Sequence, residues 1–197
     1  MAGRRRESFA DARARRAAVD DPALVLEAAA RFLEARSRSV DEVRRRLTGA
    51  GYQPALVEGA ITRLTELGML DDLAFARAWV ESRDRALPRG ERAIREELRT
   101  KGLDRAIVDE VLGDRRDVAL EWATDGDPDV APVSADRAAA ERLLARNARS
   151  LARVADPRQR RQRAYGLLAR NGFDPETCRE AAAGFIDDGD LPAAEEA

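Results

Sequence analysis

Three stretches of this chain lie over one another residue by residue, and that repetition limits the fold more than any other feature. Each closes a run of helical periodicity with a glycine: Gly51, Gly102 and Gly172. Four residues before each glycine stands a leucine (Leu47, Leu98, Leu168), and directly after it a large apolar residue (Tyr52, Leu103, Phe173). Six residues after it comes Val57, Val108 or Cys178. A glycine that ends a helix adopts the left-handed conformation that closes an αL or Schellman cap, and the apolar residue beside it folds back over the last turn. The residue six later then belongs to the next helix and faces the same core. Pro54 and Pro175 follow their glycines by three residues and suit the opening turn of that helix. In this register Cys178 takes a core slot, as a small hydrophobe and not a nucleophile.

Helical periodicity fills the chain around these stops, and no run of alternating β-branched residues competes with it. Helices are expected over 22–36, from Ser39 (a capping box with Glu42) to Gly51, from Pro54 to Gly68, from Asp71, over 88–101, and across Ile107, Val108, Val111 and Leu112. Three more are expected over 135–154, 157–171 and 175–185. The expected fold is all-α: three tandem three-helix repeats in an elongated, curved array. Repeat 1 covers 21–69, repeat 2 covers 70–112 and repeat 3 covers 135–185. A basic head (1–20) and an acidic tail (186–197) are expected to be disordered, and 113–134 to be an insert or linker. Within that insert, residues 118–123 suit a helical extension that buries Trp122.

The chain has no histidine and one cysteine, and only 5% of its residues are aromatic. The commonest general base and metal ligand are therefore absent, and no disulfide within the chain or site of several thiolates is possible. Carboxylates are many, but they alternate with arginine at helical spacing, where surface ion pairs account for them. Asp71 and Asp72, the one candidate metal pair, sit where a helix begins and are better explained as caps. No enzyme activity, cofactor or metal is expected. No apolar run is long enough for a membrane span, and the N-terminus lacks the apolar core of a secretory signal, so a cytoplasmic monomer is expected.

The segment ELGMLDDLAFARAWVESR (66–83) and the later RGERAIREELRTKGLD (89–104) resemble the RecX family of RecA regulators. The family pattern is carried here by Gly68, Leu70, Asp71, Asp72, Phe75, Ala76, Arg83, Gly90, Ile94, Glu97, Leu98, Lys101 and Gly102. The resemblance spans about residues 22–185. It implies tandem three-helix repeats and a non-enzymatic protein that binds the RecA nucleoprotein filament and modulates, most often inhibits, its growth, ATPase and strand exchange. Single-stranded DNA would be met through the filament or by weak direct contact. The head, the insert and the tail depart from the family and inherit no role.

Two arginine groups are candidate partner-binding sites. Arg89, Arg92, Arg95, Arg99 and Lys101 form a stripe along one helix face, suited to phosphates or an acidic groove. The plainer account is a solvated face laced by the pairs Glu91–Arg95 and Arg92–Glu96. RQRRQR (158–163) gathers Arg158, Arg160, Arg161 and Arg163 with no acid between them, which favours a partner that neutralises them. Arg38, Arg85 and Arg149 recur near helix ends and are expected to bond the last carbonyls. Phe32, Tyr52, Trp79 and Phe173 read as core residues. The alternative function is a helix-turn-helix transcriptional regulator built on residues 39–70, which calls for a β-hairpin wing after Leu70.

Overall fold

The structure, a computed structural model, describes residues 8–124 and 134–189, and the side chains of 8–116 and 134–185 within them. Among the described residues there are ten α-helices and no strand. They are α1 (Phe9–Ala17), α2 (Pro22–Leu33), α3 (Val40–Ala50), α4 (Pro54–Glu66), α5 (Asp72–Ala86), α6 (Glu91–Thr100), α7 (Arg105–Thr124), α8 (Ala135–Ala152), α9 (Pro157–Arg170) and α10 (Pro175–Gly189). Repeat 1 is α2–α4, repeat 2 is α5–α7 and repeat 3 is α8–α10. The wing required of the helix-turn-helix alternative does not follow Leu70; α5 begins there instead.

The punctuation is as the sequence implies. Ser39 Oγ accepts the Glu42 N–H at 3.1 Å while the Glu42 carboxylate takes the Ser39 N–H at 3.3 Å, a complete capping box. Gly51, Gly102 and Gly172 have φ of +106°, +79° and +83°. The Tyr52 N–H reaches the Leu47 carbonyl at 3.2 Å and the Phe173 N–H the Leu168 carbonyl at 3.4 Å. The recurring leucine thus supplies both an apolar contact and the acceptor that closes the cap. Asp71 caps α5 through the Ala74 N–H at 2.9 Å. Asp72 instead takes the Val40 N–H at 2.9 Å, tying the start of α5 to the start of α3.

Two differences concern helix extent. Residues 9–17, within the expected disordered head, form α1, whose N-cap Ser8 accepts the Asp11 N–H. The helix that holds Val108 and Val111 does not stop near Leu112 but runs on as α7 to Thr124. A glycine inside a helix costs only about 1 kcal/mol, so Gly113 does not break it. The burial expected of Trp122, the rest of the insert (125–133) and the tail from 190 lie outside the described residues.

The chain divides into two compact units. One runs to Phe75 and includes Thr100–Asp104; the other comprises Ala76–Arg99 and the chain from Arg105. In the first, α2, α3 and α4 pack on one another around Val25, Ala29, Val43, Leu47, Val57, Ile61 and Leu64. In the second, α8, α9 and α10 enclose Leu143, Leu144, Leu151, Leu168, Phe173 and Cys178. The core slot assigned to Cys178 is fully buried, and its Sγ lies 3.7 Å from the Phe173 carbonyl.

Candidate partner-binding surface

Most of the α6 stripe is already neutralised by the protein itself. Arg95 pairs with Glu91 at 2.9 Å and also with Asp109, and these bonds hold its guanidinium above the usual arginine range. Arg99 pairs with Glu96 at 3.2 Å. The expected pair Glu91–Arg95 is therefore present, while Glu96 serves Arg99. Arg89 turns inward: it donates to Asn171 Oδ1 at 2.9 Å, and its buried Nε, which makes no hydrogen bond among the described residues, lies 3.7 Å from the Glu97 carboxylate. Lys101 is held by Glu42 at 3.0 Å. Burial pushes the Glu42 carboxyl up, but bonds from Arg36, Lys101 and the Ser39 N–H outweigh it and bring it down to about 2. Of the stripe, Arg92 alone is exposed without a partner among the described residues.

The second group is different. Asp156 caps α9 by taking the Arg158 N–H at 2.9 Å, so its carboxylate is committed to the backbone. Arg160 folds back to the Val154 carbonyl at 3.0 Å. Arg158, Arg161 and Arg163 are exposed, and none has a side-chain partner among the described residues. Arg158 and Arg161, with Pro157, Gln162 and Tyr165, line a shallow depression of about 430 Å³. Arg158 and Arg161 lie on one face of α9 and Arg163 on another, and three unneutralised guanidiniums within six residues suit an anionic partner, either phosphates or carboxylates.

The expected carbonyl role of Arg38, Arg85 and Arg149 is not what the structure shows. The Arg38 guanidinium stacks 4.3 Å from the centre of the Phe32 ring, with Arg46 over the same ring at 5.7 Å. Arg85 pairs with Glu81, and Arg149 is exposed. An aromatic face attracts a guanidinium through its quadrupole, and here it competes successfully with the helix end. Phe32 is thus half-buried under cations, and Trp79 likewise carries Arg83 at 4.4 Å while its Nε1 donates to Glu97 at 2.8 Å. A groove of about 680 Å³ beside Phe32, lined also by Phe9, Arg16, Arg45 and Arg46, was missed by the sequence reading. It depends on α1 lying against α3, which no local signal announces. Among the described residues no group of three or more acidic, cysteine or histidine side chains is arranged to hold a metal ion. No helix there is long and apolar enough to cross a membrane.

Three-helix units repeated in tandem, each punctuated by a glycine stop, define a class of all-helical repeat proteins. Residues 26–64 match the family model described as RecX, first three-helix domain; residues 71–112 match the second and 135–182 the third. A curated relative, "Regulatory protein RecX" from Mycobacterium sp. (strain JLS), is 33% identical over 73% of this chain and 71% of its own length. Its counterpart from Mycolicibacterium smegmatis is 33% identical over 73% of this chain and 70% of its own. The crystal structure of RecX from Lactobacillus salivarius superposes with a TM-score of 0.66 at 18% identity, covering 85% of this chain and 97% of that one. The chain belongs to the RecX family of regulatory proteins.

Proposed function

We propose that this chain is a non-enzymatic, cytoplasmic regulator of a RecA recombinase. It binds the nucleoprotein filament and limits its growth, ATPase and strand exchange during DNA repair and recombination. The observation that carries this reading is the match of all three repeats, in order, to the RecX domains. The free arginines of α9 support the site. A RecA filament presents both acidic protein surface and DNA phosphate, and both suit exposed guanidiniums. Arg158, Arg161 and Arg163 carry more of the contact than the α6 stripe, where Arg89, Arg95, Arg99 and Lys101 are engaged within the protein and only Arg92 is spare.

The test is titration of the protein into a RecA assay with single-stranded DNA, following ATP hydrolysis. Inhibition at substoichiometric protein is expected, and no change at equimolar protein overturns the reading. Reversal of Arg158, Arg161 and Arg163 to Glu is expected to weaken inhibition at least tenfold in concentration, about 1.4 kcal/mol or more. Reversal of Arg99 is expected to leave it unchanged.

A further inference from the structure

Counted back from the stop glycine, the second helices of the three repeats share a register. Thirteen residues before it stand Arg38, Arg89 and Gln159; twelve before, Ser39, Gly90 and Arg160; nine before, Glu42, Ala93 and Arg163. In two of the three, this face carries the glycine-ended terminus of a helix.

In the first unit, Ser39 Oγ donates to the Lys101 carbonyl at 2.6 Å and Arg45 to the Thr100 carbonyl at 2.9 Å. Glu42 holds the Lys101 ammonium, and a side chain on Gly102 would collide with Asp41. In the second unit, the Gly90 N–H donates to the Asn171 carbonyl at 3.0 Å and Arg89 to the Asn171 side chain. A side chain on Gly172 would there collide with Ala93. The two seats agree in detail. The residue twelve before the glycine bonds the carbonyl preceding a seated glycine, and Arg38 and Arg89 share a buried Nε that makes no hydrogen bond among the described residues. The remaining stop glycine, Gly51, is covered by Arg13 of α1.

The third copy of this face lies on α9. Gln159, Gln162 and Arg163 are exposed, and no helix end sits on them among the described residues; Arg160, at the place of Ser39 and Gly90, lies inside α9 and gives its N–H to the Asp156 carbonyl and its side chain to the Val154 carbonyl, so the donors left on this face are side chains. Gly166 takes the place of Arg45, and Arg170 Nη1 lies 3.3 Å from where a Gly166 side chain would begin. A cation thus lies beside the register position that Arg45 holds in the first repeat.

We propose that this face of α9 is a docking seat for a glycine-terminated helix end of another protein, with Asp or Glu directly before the glycine. The sign follows from the register. Where Glu42 meets Lys101, the third repeat has Arg163, so the matching residue on the partner carries a carboxylate. The free carbonyls of a helix C-terminus are themselves partly negative, and Gln159, Arg163 and Arg170 supply donors for them. This goes beyond the recombinase reading and does not require the partner to be RecA.

The probes are two cross-linked helical peptides with the sequence of residues 91–104, one native and one carrying K101E, added to the isotope-labelled full chain. The K101E peptide is expected to shift the amides around Arg163 and Gly166 and to bind about tenfold more tightly than the native peptide. Arg163→Glu is expected to reverse that order. Equal binding of the two peptides, no shift on α9, or an unchanged order in the variant overturns the proposal. So does a single-stranded oligothymidylate that shifts the same amides when neither peptide does. Failure here with intact inhibition of RecA leaves the proposed function standing, and the converse outcome removes that function alone.

Discussion

At the scale of single residues, charge partners decide what a side chain is free to do. Glu42 caps α3, binds Arg36 and Lys101, and keeps its proton only near pH 2. A carboxyl whose folded value is depressed contributes stability that is fully present above its unfolded value and is lost as pH falls through the folded one. Stability is therefore expected to drop between about pH 4.5 and pH 2, by about 2–3 kcal/mol for this group. Denaturant unfolding of the wild type and Glu42→Gln across that range checks it: the variant starts lower at neutral pH and shows a shallower decline. Asp72 is shifted the other way, raised by burial, and so loses nothing on protonation in the same window.

At the scale of elements, glycine has two different meanings in this chain. Gly102 has φ +79° and no room for a side chain beside Asp41, whereas Gly59 lies exposed in the body of α4 with open space around it. Gly102→Ala is expected to destabilise by about 2 kcal/mol, and Gly59→Ala to stabilise by about 0.5–1 kcal/mol. Opposite shifts in the thermal midpoint are the measurement. Stops of this kind were legible in the sequence because a cap is a local device: Leu47, Gly51 and Tyr52 complete it within six residues. Gly113 carried the same letter without that context, and α7 passes through it. The sequence of the head implies disorder because arginine dominates its composition. Its fold rests on Gln53 donating to the carbonyls of Ala17 and Val19, residues more than thirty positions away.

At the scale of the whole molecule, the repeats are joined by groups that periodicity does not reveal. Arg115, 5% exposed, makes two 2.9 Å bonds to Asp84 and one of 2.5 Å to Asp136, which also accepts the Glu91 N–H. This links α5, α7, α8 and the start of α6 in the second unit. Arg115→Met removes the buried cation from two half-buried carboxylates, leaving Asp84 only the longer contact to Arg142, and is expected to cost about 1.5–3 kcal/mol, read as a lowered denaturant midpoint. A hydrophobic pattern encodes which side is buried, but not which distant acid an arginine will meet. The sequence thus separates the α6 stripe from the α9 patch by the glutamates between its arginines, but it does not reveal that Asp109, Asn171 and Glu42 engage the stripe as well. Deep inside repeat 3, the only sulfhydryl of the chain is sealed among α8, α9 and α10, with burial pushing Cys178 up from its ordinary value. An alkylating reagent reaches it only when those helices part. The unmodified protein thus carries its own clock for the breathing of the repeat that bears the free arginines.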